Sequence, residues 1–483
     1  MTVPGITTTQ LDGALGVLPA SAGRPYACVG TSSSGTAATP ALYARVSDVV
    51  STFGQGPNVE DACYHIQRTG RPVLITKAAT VTDGSYGTPV NGITGTSVVA
   101  VAASVKPYDL YDFIFEVVTG GTRGTAGIKY RYSLDGGENW SATIALGTDV
   151  AITTAAGNVG LTFAAGTLVA GDRFSVRTVA PIYDSTSLLA ALTALGQSTL
   201  PWEIVHVGGA VSATFAGVIE SWMTGLAAAS KNRAYVCNAR VPAVSESEAT
   251  YSSSIGTDFA SFTTKHGLIC AGACDLPSSV SGRPYRTPAS RGIGSRQAVV
   301  DVQINIANID QGGPIPGARI RDSLGNVKHH DEAVNPGLDA LGFCVLRTWD
   351  NEPGVYVNRP RLMSGATSDF QLMPHRRVMN TGIDTCLAYL RRRLSKDILV
   401  DPETGYISEA DATEMEKAAN ALLLSALTSQ RKASRAWLVV SRTDNILSTA
   451  TINFELRIVP LGYPDTFVLT AGFVNPALNA VTA

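Results

Sequence analysis

Four places in the sequence bring together residue types that can do chemistry. The loop Gly30-Thr-Ser-Ser-Ser-Gly35 follows an apolar run and offers successive backbone amides to a phosphate. It lacks the Gly-Lys-Ser/Thr of a nucleotide loop, and no helix begins directly after Gly35, so it reads as a plain connection. His266, Cys270 and Cys274 suggest a metal site, but in a strand positions four apart sit ~13 Å from each other. The segment LICAGA is apolar enough to be core, so these thiols read as buried side chains. The run His329-His330-Asp331-Glu332 lies between Gly325 and Pro336 and reads as a solvated loop. Asp135-Gly-Gly-Glu138 is too short for a calcium loop and falls where a hairpin must turn. No Gly-x-Ser-x-Gly elbow occurs, and no Cys, His and acid share a nucleophilic spacing. The residues therefore predict no enzyme, no cofactor and no metal.

Composition narrows the classes further. At 483 residues the chain exceeds what one core serves, so about three domains are expected at roughly 150 residues each. With 45% hydrophobic and 16% charged residues it can bury ample apolar surface. A net charge of -2 gives no electrostatic footprint for nucleic acid or an anionic membrane. Seven cysteines, spread from Cys28 to Cys386, fit reduced thiols rather than a disulfide framework. No basic segment precedes an apolar core at the start, and no run of about 18 apolar residues occurs, so a soluble chain without a cleaved signal is expected.

The elements that must position these residues follow from periodicity. PYACVG reads as a strand and VSDVVSTFG as the start of a helix. NVEDACYHIQRTG continues it with Val59, Cys63 and Ile66 on one face and Gly70 just past its end, and PVLITKA returns as a second strand. This β-α-β order predicts a mostly parallel, helix-covered sheet over 23–80, resuming at 181–250. There Ser185–Leu195 is a helix closed by Gly196, WEIVHVGG and AYVCNAR are strands, and Phe215, Val218, Ile219, Trp222, Met223 and Leu226 form one helix face. Between them, 81–180 is rich in Gly, Thr and Val with period-2 runs, so an inserted antiparallel β-sandwich-like domain is expected.

From 251 to 462 a C-terminal α+β domain is expected, with strands at GLICAGA, AVVDVQINIA and LGFCVLRTW. One helix carries Met379, Ile383, Cys386, Leu387, Leu390 and Leu394 on its core face, with Arg392 pointing away. Another follows the capping pair Ser408 and Asp411 and buries Met415, Ala419, Leu422, Leu423, Ala426 and Leu427. The segments AWLVVSR, TINFELRIVPL and TFVLTAGFV read as closing strands, with Ile452, Phe454, Leu456 and Ile458 on one face. The ends, 1–22 and 463–483, are small, β-branched and nearly uncharged, and read as extended arms.

This arrangement resembles the contractile tail sheath family of bacteriophages, with relatives in R-type pyocins and type VI secretion sheaths. The likeness rests on GVLPASAGRPYACVGTSSSGTAATPALYARVSDVVSTFG with PVLITKA, where Val29, Gly30, Pro40, Phe53 and Gly54 hold the family's places. It rests also on LGFCVLRTWDNEPGVYVNRPRLMS and the helices and strands after it. Asn358-Arg359-Pro360-Arg361 departs from the family's usual Gly-Ala-Arg, and 81–180 lies outside the likeness. The resemblance implies a virion tail subunit, assembled in the host cytoplasm, that forms hexameric rings in a helical lattice. Its implied partners are further copies, a tail tube protein, and baseplate and tail terminator proteins. It places Val3, Ile6 and Leu11, and Phe467, Leu469 and Phe473, in subunit-linking arms, which add strands to open sheet edges. It makes Arg391, Arg392, Arg393 and Lys396, the densest basic cluster, a tube-facing patch, against the plainer reading of a solvated helix face. The rival readings are a baseplate or receptor-binding protein whose Tyr132 and Trp140 stack on a glycan, and an α/β enzyme.

Overall fold

The computed structural model describes residues 26–243, 246–321 and 337–473. The chain divides into two compact units, Met1–Asp397 and Ile398–Ala483.

The first unit is built on strand β1 (Tyr26–Gly30), buried along its whole length as a central strand of a covered sheet must be. After the edge strand β2 (Ala41–Tyr43) come helices α1 (Val46–Phe53) and α2 (Pro57–Thr69), then β3 (Val73–Lys77) parallel to β1. The expected single helical stretch is two helices. Gly56 stands at φ 128°, which only glycine adopts readily, and a Cβ there would lie 3.2 Å from the Thr31 carbonyl oxygen. Pro57 then opens α2, and Gly70 ends it in the left-handed conformation, as the sequence indicates.

Residues 85–179 form strands only: β4 (Ser85–Tyr86), β5 (Val90–Gly92), β6 (Val99–Val101), β7 (Asp112–Thr119), β8 (Gly121–Thr122), β9 (Lys129–Ser133), β10 (Ile144–Ala145), β11 (Ala151–Thr153), β12 (Gly160–Phe163), β13 (Thr167–Leu168) and β14 (Arg173–Val179). All pairings of one of these strands with another are antiparallel and stay within this stretch. They enclose a core of their own around Phe113, Phe115, Leu161, Phe163 and Phe174.

The parallel sheet then resumes through α3 (Ser185–Gln197), β15 (Ile204–Ala210), α4 (Ala213–Ala228), β16 (Ala234–Asn238), α5 (Glu248–Asp258) and β17 (Gly267–Cys270). Its strand order is β17-β16-β15-β1-β3-β2. Gly196 does not close α3. It lies inside the helix, where a Cβ would meet Leu226 at 3.2 Å and the Trp222 indole at 3.3 Å, so its lack of a side chain lets α3 and α4 approach. Alternation along β1 sends Tyr26 and Cys28 into the core under α1 and α2, and Ala27 and Val29 into the core under α3 and α4.

After the hairpin β18 (Ala273–Pro277) and β19 (Pro284–Pro288) comes α6 (Ala289–Val299), a helix that periodicity does not signal. Its sequence, ASRGIGSRQAV, holds two glycines and five polar side chains, yet Ala289 through Gln297 are all buried. The expected strand at AVVDVQINIA is absent. Ala298 and Val299 end α6, and the chain beyond them forms local turns, with the Ile304 and Asn308 amides donating to the Asp301 and Asn305 carbonyls. The alternating Val and Ile meet no open sheet edge there, and turn hydrogen bonds win. The short α7 (Ile309–Gly312), the hairpin β20 (Leu346–Trp349) and β21 (Glu352–Val357), and helix α8 (Met373–Leu390) complete the unit.

The second unit holds α9 (Glu409–Leu423), β22 (Arg435–Val440), the short α10 (Ile446–Thr449) and β23 (Phe454–Val459). The Ser408 hydroxyl accepts from the Asp411 amide at 3.2 Å, the cap the sequence predicts. The Asp411 carboxylate turns instead to the Leu399 amide at 2.6 Å. α9 ends in a π-helical turn, Leu424–Thr428, and buries Met415, Ala419 and Leu423, while Leu422 stays exposed. β22 and β23 pair antiparallel, and Ile452, Phe454, Leu456 and Ile458 share the half-buried face.

Candidate assembly surfaces and a buried polar centre

β22 and β23 form a sheet of two strands only, so among the described residues each has one edge without a ladder partner. A two-stranded sheet is marginal by itself, and its free edges are templates for further strands. The segment after it is expected to be a strand at TFVLTAGFV, but its described part, 466–473, has no strand structure. Phe467, Leu469 and Phe473 are 86%, 89% and 111% exposed. Burial of each would be worth ~1.5–3 kcal/mol, so this tail forgoes a stabilisation that only a further surface can supply. Val3, Ile6 and Leu11 lie outside the described residues.

Helix α8 departs from its expected face. Its buried positions are Met373, Pro374, Arg376, Arg377, Val378, Asn380, Gly382 and Cys386. Arg377 is held there by donating to Glu203 at 2.7 Å and to the Val300 and Asp301 carbonyls at 3.2 Å. Of the expected stripe only Cys386 is buried; Met379, Ile383, Leu387 and Leu390 are half-buried, and Leu394 is 75% exposed. A run of turns holds Arg391, Arg392, Arg393 and Lys396 immediately past the helix. All but Arg393 are exposed, and its guanidinium lies 5.3 Å from the Tyr389 ring.

The sequence-level candidates for chemistry are dispersed. In the Gly30–Gly35 loop the Ser33 and Ser34 amides donate to the Gln55 and Phe53 carbonyls, so they form no phosphate cradle. His266 Nδ1 contacts Glu220 at 2.6 Å, whereas Cys270 sits beside Cys344 and Cys274 on β18. Asp135 commits its carboxylate to Ser133 and Asn139 at the hairpin turn, and Glu138 pairs with Arg319 at 2.7 Å. His329–Glu332 lies outside the described residues. The seven thiols are all buried and free.

The structure also assembles a centre that sequence reading misses. Cys28 on β1 stands opposite His206 on β15 in the parallel register, and α2 lays His65 over the same sheet face. His65 Nε2 and His206 Nδ1 are 3.4 Å apart, with the rings at 88°. His206 Nε2 lies 2.9 Å from the Ser290 hydroxyl on α6. Asp61, one helical turn before His65, accepts from Arg291 Nε at 2.6 Å and approaches His206 Nδ1 at 3.7 Å. Burial pushes both imidazoles below their ordinary pKa and raises the Cys28 thiol well above its ordinary range. The signal in the sequence is a histidine inside the apolar run WEIVHVGG and a serine-arginine pair in the glycine-rich α6, each too polar for its burial.

No family model matches the sequence, and no curated protein matches it. Solved structures do. A chain of the anti-feeding prophage (AFP) baseplate aligns over 98% of this chain and 100% of its own length, at 10% identity and a TM-score of 0.52. The sheath tail protein of Desulfitobacterium hafniense aligns over 95% of this chain and 100% of its own, at 10% identity and a TM-score of 0.47. The sheath tail protein of Listeria innocua aligns over 92% and 96%, at 11% identity and a TM-score of 0.47. At such identities the likeness is one of fold: this chain is similar in fold, along nearly its whole length, to the AFP baseplate chain.

Proposed function

We propose that this chain is a non-enzymatic structural subunit of a contractile tail or injection-system sheath, polymerising as stacked hexameric rings around a tail tube. The observation that carries the reading is the two-stranded β22–β23 sheet, whose edges have no further ladder partner among the described residues and which is followed by an exposed apolar segment, 466–473, without strand structure. Such a tail is stabilised by pairing with another copy's edge, where main-chain hydrogen bonds fix its register and Phe467, Leu469 and Phe473 find cover. Repeated head to tail, that contact builds a helical array rather than a closed dimer. Two packings of similar free energy then let the array switch from extended to contracted. The likeness in fold to the AFP baseplate chain supports a place in such a particle, with tube, baseplate and terminator proteins as partners. In this reading 23–80 with 181–250 supply the α/β sheath domain, whose sheet takes its edge strand β17 from the C-terminal region 251–462, and 1–22 and 463–483 are the linking arms. Residues 81–180 form an outward insertion. The half-covered end of α8, with Arg391, Arg392, Arg393 and Lys396, faces the tube.

The baseplate or receptor-binding alternative needs a free aromatic platform. Trp140 does not offer one, because the Arg131 guanidinium lies 4.4 Å and that of Arg173 5.8 Å from its ring centroid, and Glu116 pins both arginines. Sedimentation velocity over a concentration series tests the assignment. The full chain should shift to large species as concentration rises, whereas a chain ending at Gly462 should remain a discrete particle. A full chain that stays one small species throughout contradicts the reading.

A further inference from the structure

The Cys28, His65 and His206 centre has the composition and spacing of a ligand set for a soft metal ion. One donor atom from each residue lies within 4.8 Å of the other two. All three side chains are at most 1% exposed, so no solvent competes for them. The 3.4 Å between His65 Nε2 and His206 Nδ1 is long for a hydrogen bond. It suits two nitrogens held ~2.0 Å from one ion, which stand ~3.3–3.5 Å apart in tetrahedral or trigonal coordination. The Ser290 hydroxyl, 2.9 Å from His206 Nε2, orients that ring from its far side, as an outer-shell partner does for a metal-bound imidazole. His65 has no such outer-shell partner, its Nδ1 being buried without a hydrogen bond, and its ring is held by packing on Tyr26, whose ring centroid lies 4.3 Å away.

Charge decides which ion fits. The Asp61 carboxylate and the Arg291 guanidinium, 2.6 Å apart and both buried, cancel each other. Histidine ligates a metal as the neutral imidazole and cysteine as the thiolate, so the three ligands together contribute one negative charge. A monovalent cation closes the centre at zero, whereas a divalent one leaves a net positive charge in a dry core, which is costly. Thiolate and imidazole donors with a monovalent ion are the preference of Cu(I). We propose that Cys28, His65 and His206 form a buried three-coordinate Cu(I) site that fastens α2 to the centre of the parallel sheet. This is independent of the assembly reading.

The site is closed, so loading is tested by refolding the full chain under reducing, oxygen-free conditions with Cu(I) alone, with Zn(II) alone, or with neither. Competition against a chromophoric Cu(I) chelator should give one bound equivalent. X-ray absorption of the loaded parent chain should show one sulfur and two nitrogen ligands. Cys28→Ser and His65→Gln should each weaken binding by more than ~100-fold, while Cys63→Ser, a buried thiol outside the centre, should leave it unchanged. Circular dichroism checks that each variant folds, and the absorption spectrum needs no variant. A chain that retains no copper, copper with no sulfur ligand, or stoichiometric Zn(II) binding in preference to Cu(I) would each overturn the proposal.

Discussion

The buried ion pair beneath α6 allows a sharp energetic test. Asp61 on α2 and Arg291 on α6 have side chains 5% and 3% exposed, and they meet at 2.6 Å. Arg291 is one of two arginines, with Arg296, that the otherwise poor helix α6 buries, and its Asp61 partner ties α6 to α2. Asp61→Asn keeps the shape and removes the charge. Removing one partner of a buried pair costs ~3–5 kcal/mol, because the remaining charge stays desolvated. Against a domain stability of ~5–15 kcal/mol this is a large share. It corresponds to roughly 6–20 °C in melting temperature, at ~2–4 °C per kcal/mol for a large domain. Differential scanning calorimetry reads the shift. The double change Asp61→Leu with Arg291→Met removes both charges together and should recover most of the loss. If Asp61→Asn melts within ~2 °C of the parent, or the double variant is no better than the single one, the pair does not hold α6 as argued.

Three further outcomes are expected. Ser408→Ala should destabilise α9 by ~1 kcal/mol in a denaturant titration, with Ser408→Asp close to the parent, because an oxygen acceptor for the Asp411 amide is retained. Burial pushes the Asp109 carboxyl up to about 7, so the folded chain holds a proton that the unfolded chain releases between roughly pH 4 and 7. Stability should therefore fall as pH rises through that window, and melting curves of Asp109→Asn should lose this component. Reversing Arg391, Arg392 and Arg393 to Glu should leave the melting temperature nearly unchanged, since Arg391 and Arg392 are exposed, but should abolish salt-sensitive assembly on purified tubes.

Much of the fold is legible in the sequence because period and burial agree. β1, β3, β15 and β16 are mostly apolar on both faces and bounded by helices, so the parallel sheet follows directly from their composition and order. The alternation in Asp112–Thr119 and Arg173–Val179 likewise gives the antiparallel strands of the β-rich stretch. The departures have identifiable reasons. α6 is invisible to periodicity because its helix is held by buried ion pairing and hydrogen bonding rather than by an apolar stripe. The face of α8 differs from its apolar stripe because Arg376, Arg377 and Asn380 take the core, leaving Met379, Ile383 and Leu387 half-covered. AVVDVQINIA and TFVLTAGFV carry strand-forming residues but pair with no edge within the described chain, and propensity alone makes no strand. The Cys28, His65 and His206 centre depends on sheet register and on where α2 lands, neither of which spacing encodes.

The proposed arm exchange is tested most directly by negative-stain electron microscopy of the full chain at rising concentration, beside chains that end at Gly462 or carry Phe467→Ser with Leu469→Ser. The account predicts hollow cylinders of stacked rings from the full chain, lost in both altered chains while their circular dichroism stays that of the parent. Cylinders that form equally well without the tail would contradict it.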